Sequence, residues 1–311
     1  MDKFYDINGK KIYVNIVGKT NQLPVLYLHG APGVGVSDFI KFQKDNFKNE
    51  YYLIAPEQRG VWRSQELGDD EEFNIFQIIA DYEEIRKVLG IDKWICLTQC
   101  SGARTAVQYY EKYPKIFKAF IFENPVFDNM TIFKEILRLQ LKILKDKFGN
   151  EVYQNYMKEA NTINSPLELE SFSNKLGRKT NVNLNMILMS ENTTKKLENL
   201  KKFFDYDFFI KSRSTEVKMC HNTELYSSII DSFEKIKIPT MIIKGEKDIA
   251  VPMKTINEFI NKVPKTKLEI FKDCKHWVHL DSPQKYFEVV DKFIKQNLKG
   301  DILNEIKNGK K

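Results

Sequence analysis

The chain opens with a pattern of alternating residues that predicts a β-hairpin. Two short runs, KFYDI and KKIYVNIV, are joined by Asn8-Gly9, and Asn-Gly between alternating segments is the strongest short hairpin signal. Further apolar runs end in turn residues and predict buried strands. They are LPVLYLHG (23–30), EYYLIAPEQRG (50–60), WICLT (94–98) and KAFIFENP (118–125). Helical spacing between them, as in 71–90, favours an α/β fold with a parallel, doubly wound sheet.

The alternation of strands and helices stops after about residue 127 and returns with the strands TMIIKGEKD (240–248) and KLEIFKD (267–273). The intervening residues show helices and loops without a convincing strand. Neither flank carries a complete sheet alone, so tandem domains are not expected. We predict an α/β core in two parts with an inserted helical cap and a basic tail. Their bounds are 1–127 and 236–297 for the core, 128–235 for the cap and 298–311 for the tail.

Charge and composition restrict the partners of the protein. The 311 residues carry a formal net charge of +7, and their lysines are scattered, whereas nucleic-acid binding needs basic residues clustered on one face. The start, MDKFYDINGKK, lacks the apolar region of a signal peptide, and no stretch reaches the ~20 apolar residues of a membrane span. We therefore expect a cytoplasmic protein with no nucleic-acid partner and no membrane span.

The cysteines and histidines show no metal-binding spacing. Cys96, Cys100, Cys220 and Cys274 form no CxxC pair, and four histidines add no zinc-ligand pattern. No dinucleotide fingerprint is present in the right context either. The sequence therefore predicts free thiols and no cofactor.

The segment TQCSGA, between a predicted strand and a predicted helix, has the pattern of a nucleophile elbow. Such a turn needs small residues two positions before and two positions after the nucleophile. With Cys100 at the centre these are Thr98 and Gly102, whereas Ser101 at the centre would place the bulky Gln99 in the turn. Steric fit favours Cys100, and the helix N-terminus behind it favours a thiolate. The alternative is that Cys100 is a buried apolar residue, as we expect for Cys96.

Three other strand ends carry candidate chemistry. HGAPG (29–33) predicts a sharp glycine turn with backbone N–H groups free to face an oxyanion. Asp248, at the end of the predicted strand 240–248, can orient a histidine. His276, in KHWVHL, is the candidate general base, while His279 is expected to pack or to be exposed. The order nucleophile, acid, histidine makes this set more specific than any member alone.

Over roughly residues 5–297 the sequence resembles the α/β-hydrolase superfamily, and HGAPG with PEQRGVWRS (56–64) resembles the proline iminopeptidase-type branch. CKHWVHLDSP is similar to the catalytic-histidine segment of many capped members, and Tyr113-Pro114 lies where a helix behind Cys100 would end. The resemblance implies an α/β-hydrolase fold, with a mostly parallel sheet, helices on both faces and a helical cap. The residues that it assigns, each by its position in this chain, are as follows. Cys100, His276 and Asp248 are catalytic, the backbone N–H groups of Ala31 and Ser101 form an oxyanion hole, Glu123 is a reserve acid, and His29, Gly30, Gly33, Gln58, Arg59 and Trp62 belong to the pocket motifs.

Four residues depart from the pattern of the resembled family. Cys100 stands where most members have serine, and Thr98 stands where they have glycine. Trp62 replaces the usual glycine of the second motif and is expected at the pocket floor or the wall beside it. Glu57 replaces the usual aspartate. These changes affect the expected peptidase specificity more than the expected fold.

A cysteine nucleophile implies a thioester intermediate, which is more open to attack by amines than an oxyester. We therefore expect an acyl-transfer enzyme acting on a small-molecule acyl substrate, free or linked to a carrier or an amine. It would hydrolyse an ester, thioester or amide, including aminopeptidase-like substrates. One alternative passes the acyl group to an amine or other acceptor, and another is a non-catalytic protein that binds a small ligand. The lysine-rich segment EILRLQLKILKDKFG is expected to form a solvated cap surface rather than a membrane or carrier contact.

Overall fold

The computed structural model describes residues 2–31, 35–127, 129–182, 184–202 and 204–298. Within these ranges eight strands form one sheet in the order β1-β2-β4-β3-β5-β6-β7-β8. The strands are β1 (Asp2–Ile7), β2 (Lys10–Val17), β3 (Leu23–Leu28), β4 (Tyr51–Pro56), β5 (Trp94–Gln99), β6 (Phe117–Glu123), β7 (Thr240–Gly245) and β8 (Thr266–Phe271). β2 pairs antiparallel with β1 and β4, and every other pairing is parallel. The predicted hairpin is confirmed, because Asn8 and Gly9 take positive φ values of 48° and 77° between β1 and β2.

The helices follow the strands as the sequence pattern predicts. Those of the core are α1 (Ser37–Phe47), α2 (Ile75–Val88) and α3 (Gly102–Lys112) before residue 127, and α10 (Met253–Lys262), α11 (Val278–Asp281) and α12 (Pro283–Asn297) after residue 240. Between β6 and β7 lie α4 (Asn129–Ala160), α5 (Pro166–Thr180), α6 (Leu184–Leu188), α7 (Glu191–Lys201), α8 (Tyr206–His221) and α9 (Ile230–Phe233). We call residues 129–233 the helical insert. Its first helix, α4, is broken at Gly149, whose φ is 84°.

Two apolar layers hold the sheet between helices. On one face Leu26 and Leu28 of β3 belong to a core that includes α2, α3 and α10. On the other face Val25 and Tyr27 of the same strand pack with α1 and α12. This alternation follows from the two-residue period of a strand. It confirms the predicted α/β-hydrolase fold class, with a mostly parallel sheet and helices on both faces.

The helical insert packs partly on itself and partly on the core. Leu144 and Leu176 belong to a separate apolar cluster between α4 and α5, while Leu197 and Leu200 of α7 pack against Leu280 of α11. None of the helices in the described ranges is long and apolar enough to cross a membrane. Of the predicted basic tail, 298–311, only Leu298 lies among the described residues.

Arg104 connects α3 to both ends of the helical insert. Its buried guanidinium donates to the carbonyl oxygen of Phe127 (2.7 Å), where the chain enters the insert. It also donates to the carbonyl oxygens of Glu224 (2.7 Å) and Ser227 (2.8 Å), near where the chain leaves it. Because Arg104 lies in the first turn of α3, it joins the insert to the helix that supports Cys100.

Replacing Arg104 with methionine should therefore loosen the insert. The change removes the charged donor from the buried carbonyl oxygen of Phe127 and from the carbonyl oxygens of Glu224 and Ser227, and hydrogen bonds to a charged group contribute about 1.5–3 kcal/mol each. We expect a loss of about 3 kcal/mol in the free energy of unfolding, with faster hydrogen exchange near residues 224–227, measured by denaturant unfolding and mass spectrometry. Arg138→Met is the control, because Arg138 lies on α4 with 76% of its side chain exposed. Equal effects of the two substitutions would contradict the role assigned to Arg104.

Candidate active site

The backbone at the end of β5 makes the turn that the sequence predicts. Cys100 has a positive φ of 55°, whereas Ser101 has φ −67° and ψ −11° and forms the N-cap of α3. A left-handed conformation costs a non-glycine residue roughly 1–2 kcal/mol. Two backbone hydrogen bonds hold it, from Cys100 N to Glu123 O (3.0 Å) and from Val126 N to Cys100 O (3.0 Å). Cys100 thus occupies the constrained position of the turn, and Ser101 begins the helix.

Two glycines allow this turn to lie against the end of β3. A Cβ at Gly102 would lie 2.5 Å from the carbonyl oxygen of Leu28, and a Cβ at Gly30 would lie 2.7 Å from the Cβ of Cys100. Both distances are shorter than side chains tolerate. Thr98, where the resembled family has glycine, is fully buried in β5. The turn therefore depends on the missing side chains of Gly102 and Gly30.

His276 and Asp248 lie together beside this turn. His276 Nδ1 is 3.1 Å from Asp248 Oδ2, and both side chains are buried. Burial lowers the pKa of His276, but the Asp248 carboxylate and the neighbouring Cys100 thiol outweigh it and raise that pKa well above its usual value. Burial raises the pKa of Asp248, yet His276 and Lys244 outweigh it and keep this pKa below its usual value. The two groups therefore hold each other in their charged forms.

The Nε2 atom of His276 is buried, and the described group that interacts with the ring on the side away from Asp248 is the Cys100 thiol. An imidazole that is oriented through Nδ1 and has a thiol beside Nε2 is the arrangement of a general base and its nucleophile. The structure therefore brings together the three residues that the sequence predicted to be catalytic.

Cys100 and His276 line a cavity of about 390 Å³. The strand ends supply Gly30, Ala31 and Ser101 to its walls, so both residues expected to provide oxyanion N–H groups border the same space. The helical insert supplies largely apolar side chains, namely Ile132, Phe133, Ile136, Leu197, Phe209 and Met219. The insert also contributes polar side chains, namely Asn129, Lys201, Ser212, Arg213 and Glu216. A cavity with apolar walls and a few polar groups is typical of small-molecule sites.

Comparison with known proteins agrees with this fold. A family model described as the alpha/beta hydrolase fold matches residues 24–283. The chain belongs to the α/β-hydrolase family. Its fold is similar to the crystal structure of proline iminopeptidase from Mycobacterium smegmatis, with a TM-score of 0.71 at 16% identity, covering 96% of this chain and 98% of that one.

Sequence relatives of this α/β-hydrolase include proline iminopeptidases. The protein of that name from Saccharolobus solfataricus is 25% identical over 314 residues, covering 94% of this chain and 95% of the relative. The proline iminopeptidase of Neisseria meningitidis (serogroup A) is 30% identical over 113 residues, 36% of this chain. That match spans only 35% of the length of the Neisseria protein.

The HGAPG segment of the hydrolase is only partly described. His29 and Gly30 line the cavity, whereas Gly33 lies outside the described residues. His29 accepts a hydrogen bond from Gln58 N at Nε2 (3.1 Å), and its Nδ1 lies 3.2 Å from Gly30 O. Burial lowers the pKa of His29 to about 4. His29 is therefore neutral at pH 7 and links the PEQRG segment to the end of β3.

The second motif requires a correction, because Gln58, Arg59 and Trp62 are not among the described residues that line the cavity. Arg59 forms buried ion pairs with Asp81 (2.7 Å) and Glu71 (3.0 Å), away from the cavity. Glu57 is buried and accepts from Arg63 N (2.7 Å). Gln58, Arg59 and Trp62 of this motif therefore support the structure around the cavity and do not line it.

Trp62 lies one layer behind the wall on which the sequence placed it. It has a positive φ of 50°, and it is completely buried. Its ring contacts Phe208 and Phe209 of α8, with centroid distances of 5.6 and 4.7 Å, and Phe204 just before that helix. Since Phe209 lines the cavity, Trp62 supports the wall from outside.

Glu123, the reserve acid, does not contact His276 in the described structure. Both of its carboxylate oxygens lie 2.9 Å from His279 Nδ1, and one accepts from His279 N at 3.0 Å. His279 Nε2 lies 3.8 Å from Asp38, whose carboxylate also accepts from Trp277 Nε1 (3.2 Å). His279 is therefore a buried member of an ion-pair network and not an exposed residue. Burial lowers its pKa, but Glu123 and Asp38 outweigh this and raise the pKa to about 10.

Two residues that sequence reasoning missed hold the segments that carry Asp248 and His276. Asn124 Nδ2 donates to the carbonyl oxygens of Lys275 (3.1 Å) and His276 (2.8 Å), while its Oδ1 accepts from Gly245 N (2.9 Å). Lys244 Nζ donates to the carbonyl oxygens of Gly245 (2.8 Å) and Asp248 (2.6 Å). The available signal was their position at the ends of β6 and β7, where polar residues of a parallel sheet converge.

Nothing in the described ranges points to a metal centre. No group of three or more His, Cys, Asp or Glu side chains there could hold an ion.

The buried His279–Glu123 pair should make the stability of the hydrolase depend on pH. The pKa of His279 is about 10 in the folded state and 6.5 in the unfolded state. The contribution of the pair to the free energy of unfolding is therefore complete below pH 6.5 and is lost as the pH rises through 10. His279→Gln should lower the free energy of unfolding by roughly 3–5 kcal/mol at pH 6.5 and flatten its decline between pH 6.5 and 10. Urea unfolding at several pH values measures both effects.

The control for this prediction is His221→Gln, because His221 is exposed at the end of α8. It should keep the wild-type decline. Part of that decline also remains in His279→Gln, since His276 has a raised pKa as well. An unchanged decline in His279→Gln would contradict the ion pair.

Proposed function

We propose that the protein is a hydrolase that forms a thioester through Cys100, with His276 as its general base and Asp248 as the orienting acid. The observation that carries this proposal is the backbone conformation. Cys100 has the positive φ of a nucleophile elbow, and Ser101 is already helical. His276, oriented by Asp248 at 3.1 Å, supports the same assignment.

The reaction would begin with the proton of Cys100 held on His276 Nε2, as the raised pKa of His276 favours, and with attack of the Cys100 thiolate on the carbonyl carbon of the substrate. The backbone N–H groups of Ala31 and Ser101 would stabilise the oxyanion. Collapse of the tetrahedral intermediate breaks the bond to the leaving group, which receives the proton from His276. Water, deprotonated by His276, then attacks the thioester, releases the acid and regenerates the thiol.

The cavity supports a small, partly apolar acyl substrate. Its volume of about 390 Å³ lies near the lower end of small-molecule pockets. The helical insert supplies much of its apolar lining, so we propose that the insert acts as a cap and selects the substrate.

An aminopeptidase-like substrate is one member of this class, since relatives named proline iminopeptidase match the chain. Glu216 of α8 supports it, because this insert carboxylate lines the cavity. Its ion pair with Arg213 (3.1 Å) weakens that support, because the carboxylate already has a cationic partner.

Covalent labelling tests the nucleophile. The protein is exposed to a panel of thioesters, activated esters and aminoacyl amides. We expect at least one of these donors to transfer its acyl group to Cys100, which intact-protein and peptide mass spectrometry would detect as an added mass. Cys100→Ala should lose the adduct and at least about 10³-fold of the turnover. His276→Ala should form the adduct slowly and retain it longer.

Ser101→Ala is the matched control, because it removes the neighbouring hydroxyl and keeps the backbone N–H. It should still be labelled at Cys100. Loss of labelling in Ser101→Ala with retention in Cys100→Ala would overturn the assignment. If the acyl group is released to an added amine in preference to water, the proposed activity is that of an acyltransferase and not of a hydrolase. A protein that no donor labels would instead be a non-catalytic binder.

A further inference from the structure

Gln99 lies beside Cys100 in the wall of the cavity. It is the last residue of β5, directly before Cys100, and it lines the cavity with only 6% of its surface exposed. A Cβ at Gly30 would lie 2.8 Å from the Oε1 atom of Gln99. The absence of a side chain at Gly30 thus leaves room for the Gln99 amide at the reacting end of the cavity.

The Nε2 atom of Gln99 is buried and donates to no acceptor among the described residues. Other buried amides of the chain are used structurally. Gln43 Nε2 donates to the carbonyl oxygens of His279 (3.0 Å) and Pro283 (3.1 Å), and Gln140 Nε2 donates to Ser173 O (3.0 Å). An unpaired buried donor destabilises the folded state. The unpaired Nε2 of Gln99 belongs to a residue that lines the cavity, where a bound ligand can accept its hydrogen bond.

We propose that Gln99 is a specificity-determining residue whose Nε2 donates a hydrogen bond to a neutral oxygen in the acyl chain of the substrate. The inference rests on the proposed function, because the acyl group is the part that stays bonded to Cys100 in a thioester. Gln99 precedes Cys100 by one peptide bond and therefore remains beside that group throughout the intermediate.

The donor atom of Gln99 fits a neutral acceptor. An amide N–H cannot donate to an ammonium group. A carboxylate on the substrate would pair with Lys201 or Arg213, which line the same cavity, in preference to the neutral Gln99 amide. An ether, hydroxyl or keto oxygen needs only a donor and carries no charge that has to be desolvated. The substrate class is therefore an oxygenated acyl chain in preference to a plain hydrocarbon chain.

Binding to Cys100→Ala tests this inference without any reaction. The probes are N-phenylpentanamide and two analogues in which oxygen replaces one CH2, N-phenyl-3-methoxypropanamide and N-phenyl-2-ethoxyacetamide. By calorimetry, we expect at least one ether to bind more tightly than the hydrocarbon. When Gln99→Met is added, the ratio of the ether affinity to the hydrocarbon affinity should fall about tenfold, because a tenfold change in affinity corresponds to the loss of one hydrogen bond.

Two further variants separate binding from a structural role. Gln99→Glu keeps the shape but removes the donor, so it should also lose the preference for the ether. Gln108→Met, on α3 outside the lining of the cavity, should retain that preference. Without ligand, Gln99→Met should keep or raise the melting temperature, because it removes an unpaired amide. A clear loss of stability would indicate that Gln99 is structural and would overturn the inference.

The outcomes distinguish this inference from the proposed function. If Gln99→Met leaves the affinity ratio unchanged, the role of Gln99 is overturned even if Cys100 is labelled. The same holds if neither ether binds up to its solubility limit. A Gln99-dependent preference for the ether supports that role even if no donor labels Cys100, a result that would reject only the thioester mechanism.

Discussion

The packing of the N-terminus of α3 against the carboxyl end of β3 governs the geometry of the site. A Cβ at Gly102 would lie 2.5 Å from Leu28 O, so the helix can approach the strand this closely only because the side chain is absent. The chain must then turn within one residue between β5 and α3, and Cys100 takes the left-handed conformation that such a turn requires. Gly30 completes the contact from the opposite side, because its missing Cβ leaves room for Cys100 and Gln99. The position of the thiol is therefore determined by backbone packing.

The histidine loop is held by buried charges and amides. His276 and His279 lie three residues apart, and each contacts a different carboxylate, Asp248 and Glu123. Buried charges of this kind are retained only when they are paired. His279 thereby anchors the loop from behind, while His276 keeps Nε2 available at the cavity.

The same loop is bonded to the helical insert. The carbonyl oxygen of Leu188 in α6 accepts from His276 N at 3.1 Å, and Asp281 accepts from Thr193 of α7 at 2.6 Å. Arg104 ties the ends of the insert to α3. Movement of the insert would therefore act on both His276 and the helix that follows Cys100.

The sequence by itself determined the fold class, the elbow and the order of the candidate triad, because these depend on local pattern. Strand and helix periods, Asn8-Gly9 and the need for a small residue at Gly102 are all readable along the chain. Only the tertiary structure decided which partners meet. It placed Glu123 against His279, moved Trp62 behind Phe209, gave Asn124 its three hydrogen bonds and left Gln99 with none at Nε2. These outcomes depend on side chains brought together from distant segments, whose distances and burial have no counterpart in local periodicity.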